Sequence, residues 1–340
     1  MSHSPLEQKN LIHSPLEKNF SFLDLYSKVG IVMVMVVFII IFALMSPVFL
    51  SRANIINVLT QASVVTIIGC GITLLIITGN TDLSAGSMVA LGGCITLGTF
   101  KNLTQESGWT DWTAMVASIL LGIFVCLVMY SLAAFIITKL HVPAFIVTLA
   151  VSTAARGLAL MYTRARVIKQ IGNIVILGQG KLFGLIPYPV LFMVVFVVVT
   201  WFLLSRMRLG RYLYAVGGNS ESAKAAGIHV DRTVMKAYLF HALCVGIAGT
   251  LFMARLNSAQ PAEGVGLEFD AITGAIIGGA SLSGGLGSAA GTVVGCMVIA
   301  MIANILTLLR VQSYYQQIIT GLIIVAAVVV DVLTKGGKRK

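Results

Sequence analysis

Charge is what this 340-residue chain has least of: Asp, Glu, Lys and Arg together make up 10% of it, and only 12 residues are acidic. That excludes an ordinary soluble globule, in which about a quarter of residues carry charge. The five cysteines (Cys70, Cys94, Cys126, Cys244, Cys296) show no Cys-x-x-Cys or Cys/His spacing. Neither a disulfide framework nor a zinc site is supported, so no metal is expected and the thiols read as small packing groups. No Gly-x-x-x-x-Gly-Lys-[Ser/Thr] run cradles a nucleotide; Gly180-Lys181 and Gly337-Lys338 lack the other members. Ser/His/Asp sets, paired carboxylates within apolar runs and His-Glu-x-x-His are missing as well. No catalytic residue is assigned.

What is present is hydrophobic: 58% of residues, with a mean hydropathy of +0.97. This predicts an all-α polytopic membrane protein. The 7 prolines and 34 glycines fit, because both are more frequent in membrane helices than in soluble ones. The net charge of +11 sits mostly at the ends of apolar runs, so topology explains it and nucleic acid is not an expected partner.

A bilayer core of about 30 Å takes roughly 20 apolar residues per helix. About ten spans meet this: 29–46, 55–78, 86–100, 114–138, 144–163, 187–204, 235–255, 269–286, 288–309 and 313–333. Residues 1–28 form a polar lead containing a near-repeat, His3-Ser4-Pro5-Leu6-Glu7 and His13-Ser14-Pro15-Leu16-Glu17, with no cleavable signal peptide. Residues 29–333 form the membrane domain, and 334–340 a basic tail. Lys and Arg in short loops mark the cytoplasmic side. The 205–236 loop and the tail are both basic, which predicts a multi-pass protein with both termini in the cytoplasm. Arg164, Arg166, Lys169 and Lys181 then lie outside, against the rule.

Ionisable groups within apolar runs are functional suspects. Asp82, Asp270 and Asp331 fall near span ends, where water or headgroups solvate them. His241 lies inside the seventh span. It is either a neutral imidazole bonded to a neighbouring helix, or a proton relay or hydroxyl contact. So few buried acids argue against an ion-driven carrier, which needs ion ligands in its core.

Glycine interrupts two similar stretches. Gly79-Asn80-Thr81-Asp82-Leu83-Ser84-Ala85-Gly86 and Gly278-Gly279-Ala280-Ser281-Leu282-Ser283-Gly284-Gly285 share Leu-Ser-x-Gly before a small-residue helix, as in an internal duplication. Such stretches serve either close helix packing or a polar path lined by exposed backbone. Path candidates are Asp82, Ser84, Gly86, Phe145, Thr148, His241, Ser281, Ser283, Gly284 and Gly285. Pro143 also suits the first turn of a span. Tyr314, Tyr315, Trp109, Trp112 and Trp201 suit the membrane interface.

The 205–236 loop holds a polar island. Asn219 is a good N-cap, Glu221 and Lys224 complement the helix dipole, and Gly227 is a stop, so 220–226 read as a short helix. A helix this short is marginal in water, so a partner surface is expected to hold it. Arg211, Gly217, Gly218, Asn219, Glu221, Ala223, Lys224, Ala225 and Gly227 are the candidate contacts.

Taken together, Asp82-Leu83-Ser84-x-Gly86, Pro143-x-Phe145-Ile146-x-Thr148-Leu149, Arg208-x-Gly210-Arg211 before Gly217-Gly218-Asn219, Ala223, Gly227-Ile228, and Gly278-Gly279 with Gly284-Gly285-x-Gly287 form a specific, ordered set. In these the chain, from about residue 50 to 331, resembles the inner-membrane permease subunits of bacterial ATP-binding cassette importers for monosaccharides. That group serves ribose, galactose, xylose, allose and related sugars, and includes permeases for the autoinducer-2 furanose. The resemblance implies a second permease chain, alike or different, and a cytoplasmic ATPase with two nucleotide-binding domains that binds the ATP. It also implies a periplasmic or lipid-anchored sugar-binding protein, and a coupling role for 220–226. Thr81 departs from the apolar residue common there, and the repeated lead is not typical. The rivals are an autonomous secondary sugar carrier or facilitator, and a membrane anchor that transports nothing.

Overall fold

A computed structural model describes residues 22–169 and 171–335. Residues 1–21 of the polar lead, with its repeat, and residues 336–340 of the basic tail lie outside the described residues. The described residues are mostly helical: α1 (Phe22–Met45), α2 (Arg52–Ile77), α3 (Ala85–Gln105), α4 (Asp111–Lys139), α5 (Ala144–Thr163), α6 (Ile176–Gln179), α7 (Tyr188–Ser205), α8 (Arg208–Gly218), α9 (Ser220–Ala225), α10 (Val230–Arg255), α11 (Leu267–Ile277), α12 (Ala289–Leu308) and α13 (Ser313–Lys335). A two-stranded antiparallel hairpin, β1 (Lys181–Leu182) and β2 (Ile186–Pro187), precedes α7.

Among the described residues six helices are long and apolar enough to cross a membrane: α2, α4, α5, α7, α10 and α12. The expected span 269–286 is not a full helix. α11 stops at Ile277, after about 16 Å of rise, because Gly279 takes a φ of 93° and closes the helix end. The expected span 86–100 lies within α3.

The helices run between two ends of one bundle. At the first, the α9 end, Ile77, Lys139, Ser205 through Val230, and Ile277 through Ala289 gather. Here Gly285 N donates to Ile77 O at 2.8 Å, and Lys139 pairs with Asp231 at 2.8 Å. At the opposite, hairpin end, Ile168 bridges Ala259 and Asn173 bonds Asp111. The pairs α2–α3 and α11–α12 run in the same sense, so the similar glycine stretches join parallel units. Both begin alike: Asn80 N donates to Leu75 O and Ala280 N to Ala275 O. They then diverge. Ser84 sits at the start of α3, whereas the start of α12 is capped by Ser288, and Ser283 remains in the loop.

α2 is the axis, apolar on all sides and buried over nearly all of its second half. α4 shows how outer helices differ. Ala114, Ser118, Gly122, Cys126 and Tyr130 face inward, while Leu120, Phe124, Val128, Leu132 and Phe135 form an exposed stripe. Small-in, large-out is the pattern of a helix packed on neighbours and facing lipid. Polar side chains join α2 to α12: Asn54 and Asn304 exchange two amide bonds of 2.9 Å, and Thr73 and Thr292 hydroxyls lie 2.6 Å apart. All five cysteines are buried and none forms a disulfide.

α2 meets α10 at Gly71, where a Cβ would lie 2.3 Å from His241 Nδ1 and 2.8 Å from its Cα. Gly71→Ala must therefore push α10 away, at a cost of about 1–3 kcal/mol. Thermal unfolding of the detergent-solubilised protein should show a clear loss for Gly71→Ala and none for Gly321→Ala, whose added Cβ meets nothing within 4 Å. Equal melting of the two variants would contradict this packing.

Candidate functional site

Directly after α2, the chain turns back through Gly79 to Ser84, and this turn carries Asp82 into the bundle. The sequence places Asp82 near a span end, within reach of water. Instead it is fully buried, as are Ser84, Tyr130 and His241. Its Oδ1 accepts from Ser84 N at 2.9 Å and from the Ser84 hydroxyl. Its Oδ2 accepts from Tyr130 Oη at 2.7 Å and lies 2.8 Å from His241 Nε2. Along their helices, Tyr130 lies about 13 Å from Lys139, and His241 about 16 Å from Val230, at 1.5 Å per residue. Water is replaced here by a closed set of donors, which is how a carboxylate is tolerated at depth. His241 is thus bonded to the turn after α2, and its Nδ1 has no partner.

The loop end holds a second assembly. α9 is built as the sequence predicts: Asn219 Oδ1 accepts from Ser222 N at 2.9 Å, and Gly227, at φ 82°, follows the last turn. Arg211, Gly218, Asn219, Glu221, Lys224, Ala225 and Gly227 are exposed, but Ala223 is buried against the bundle. Gly217 also turns inward. A Cβ there would fall 1.6 Å from Ile77 O and 2.6 Å from Gly285 N. Gly284 packs on the Gly217 backbone from the other side. Gly217, Gly284 and Gly285 therefore form one backbone-to-backbone joint. α8, which carries Gly217, was not foreseen. Its signal was Leu209, Leu213 and Val216 at helical spacing, with Arg208 just before them and Arg211 between. Tyr214 fastens it, donating to Gly287 O at 2.7 Å. Burial pushes its phenol above the ordinary value, so it stays a donor. Beside α9, Lys139, His141, Glu221, Lys224, Asp231 and Arg232 line a cleft of about 620 Å³.

The remaining path candidates scatter. Phe145 is exposed on α5, just past Pro143, which occupies the N-cap position. Thr148 is buried and bonds Phe145 O. Ser281 is buried in the α11–α12 loop and Ser283 is exposed there. Gly86 packs on Gly264. Two ionisable groups were passed over: Arg156, in the middle of apolar α5, and Glu268, in the first turn of α11. A charge amid an apolar run was the available signal for Arg156.

Since the Asp82 cluster is closed, removing its acceptor strands three donor side chains, each at about 1–3 kcal/mol. Asp82→Ala should therefore lower the melting temperature of purified protein far more than Tyr130→Phe, which deletes a single hydroxyl. Melting of Asp82→Ala at the unmodified temperature would show that the cluster holds nothing.

Residues 54–328 match the family model described as branched-chain amino acid transport system / permease component. Among curated proteins, the ribose import permease protein RbsC of Bacillus subtilis (strain 168) is 36% identical over 318 residues, covering 93% of this chain and 96% of that protein. RbsC of Escherichia coli (strain K12) is 35% identical, covering 87% and 91%. The D-allose transport system permease protein AlsC of Escherichia coli (strain K12) is 36% identical, covering 93% and 94%. No solved structure matches. With the match running from α2 into α13, and so through both buried assemblies, the chain belongs to this permease component family.

Proposed function

We propose that the chain is the transmembrane permease subunit of an ATP-binding cassette importer that moves a monosaccharide across the bacterial inner membrane. The observation that carries this reading is α9: a capped helix of 6 residues with Ala223 seated in the bundle and its other faces turned outward. A helix that short is marginal alone, and its exposed faces suit the cleft of an ATPase carrying two nucleotide-binding domains, where ATP is bound. The relatives named for ribose and allose supply the solute class. A periplasmic or lipid-anchored binding protein delivers the sugar, and a second permease chain, alike or different, completes the membrane unit. The basic residues around α8 and α9 favour a cytoplasmic position for that end, and the reading has both termini on the same side and about ten passages of the bilayer, α11 making the shortest.

On this reading ATP closes the nucleotide-binding domains and α9 moves with them. Its path into the bundle is short. α9 follows α8, α8 rests on Ile77 and Gly285 through Gly217, and those residues end α2 and lead to α12. Access alternates because the two permease states differ in how they meet the loaded binding protein, so the permease itself need not hold the sugar tightly.

Ala225 is exposed on α9, so Ala225→Glu leaves the bundle untouched and alters only the docking face. Membrane insertion and melting should stay normal while sugar-stimulated ATP hydrolysis and uptake fall by about tenfold or more. Gly227→Pro, which cannot adopt φ 82°, should act likewise. Normal uptake in both variants would remove the coupling role.

A further inference from the structure

The face shared by α3, α5 and α11 is apolar along much of its length, with Leu149, Leu160, Val265 and Phe269 exposed. A ring of polar groups interrupts it. The hydroxyls of Ser87 on α3 and Ser152 on α5 lie 2.9 Å apart. One turn further along α5, half-buried Arg156 directs Nη1 at the carbonyl oxygens of Pro261 and Glu263, the latter at 2.7 Å. Gly264 then closes on Gly86. A Cβ on Gly86 would lie 2.1 Å from Gly264 O and 2.2 Å from Glu268 Oε2. That Oε2 is shielded from solvent and no side chain bonds it. Gly86 adjoins Ser87, so the ring closes on itself.

Two separate costs fall at this one place. Arg156 lies about 18 Å from Ala144 and about 10 Å from Thr163 along α5, at 1.5 Å per residue. A charged side chain at mid-helix costs about 2.5–3.5 kcal/mol on insertion scales. The backbone between α10 and α11 is not helical, yet it reaches Gly86 at the far end of α3 from Gln105. Irregular backbone is tolerated at depth only beside protein or a water-filled cavity. Both costs are relieved if this face borders an aqueous path.

The chemistry of the ring narrows what passes. A guanidinium has five donors, and Nη1 supplies the two spent on carbonyls; the carboxylate is acceptor-only, and each serine is both. The charges of Arg156 and Glu268 balance, so an ion of either sign gains little. Adjacent hydroxyls of a neutral polyol match a donor fork beside an acceptor. We propose that Arg156 and Glu268 are the solute-contacting pair of the translocation path, receiving the hydroxyls of a neutral sugar as it passes between α5 and α11. This rests on the transport reading above.

The test uses the complete transporter, with its ATPase and binding protein, in proteoliposomes, and labelled D-ribose and D-allose as probes. In Glu268→Gln and Arg156→Gln, sugar moved per ATP hydrolysed should fall by about tenfold or more, as expected for a charged hydrogen bond, while binding-protein-stimulated ATP hydrolysis persists. A purely structural role would lower subunit abundance and ATP hydrolysis together. If Arg156→Gln loses abundance because its carbonyl anchors are lost, the near-isosteric Glu268→Gln decides. Independently, Ser152→Cys should react with a charged, water-soluble thiol reagent, against a background of five buried native cysteines. Unchanged sugar per ATP in Glu268→Gln, or an unreactive Cys at that position, overturns the proposal. Wild-type transporter that moves neither sugar, with Ser152→Cys still reactive, would instead sink the transport of these sugars and leave the aqueous path standing.

Discussion

A carboxylate sealed from water sets the terms on which this bundle assembles. Asp82 is fully buried, and every oxygen it presents is met: by its neighbour Ser84, by Tyr130 on α4 and by His241 on α10. Unmaking such a set exposes donors with nothing to pair with, so the cluster is satisfied as a whole or costs several kcal/mol. The same imidazole is bounded on its other side by Gly71, where no side chain fits. Hydrogen bonding and sterics thus place α10 against α2 independently, and α4 follows through Tyr130. Three helices and the α2–α3 turn share one admissible geometry.

That rigidity matters because the turn begins beside the joint on which α8 rests. Ile77, the last residue of α2, receives Gly285 N, and its carbonyl stands where a Gly217 side chain would be. Backbones touching without side chains between them have little slack. Packed interfaces of this kind shift between discrete arrangements rather than deforming smoothly. On the proposed reading, a push on α9 reaches α2 and α12 without being absorbed. α5 is held differently, packing on α3 and α4 and leaving Phe145, Ile146 and Leu149 exposed. The arrangement separates a stiff group of helices around α2 from a freer face that carries Arg156.

Local signals were legible in the sequence, and long-range ones were not. Asn219, Glu221 and Gly227 specified α9 because caps act within one turn of chain. Six of the apolar helices were legible because apolar length is a local property, whereas the span expected at 269–286 breaks at Gly279. By contrast, Asp82 meets Tyr130 and His241 across separations of 48 and 159 residues, so its position near a span end suggested solvent where the fold supplies partners. The Leu-Ser-x-Gly match hides a difference for a related reason. Ser84 opens a helix and Ser283 does not, since the second loop is longer before Ser288 caps α12. That Gly217, Gly284 and Gly285 meet in one joint was not legible, because a glycine's packing depends on which backbone lies opposite, and no single-chain pattern records that.

The economy of charge also bears on where the energy for transport enters. An ion-coupled carrier needs a carboxylate that meets each side of the membrane in turn. Asp82 is bonded to Ser84, Tyr130 and His241, so exposing it would mean dismantling the contacts that position α4 and α10. Glu268 is shielded near Arg156, whose opposite charge offsets its own, and binding a cation there would set it against a guanidinium. Asp82 is not free to gate an ion without undoing the fold around it, and at Glu268 the guanidinium opposes a cation. On the proposed reading a lever at α9 meets no such conflict: its outward faces are exposed, and its inward contacts are Ala223 and, through α8, the glycine joint. For this chain, power delivered from outside the bundle is physically cheaper than power drawn from a gradient across it.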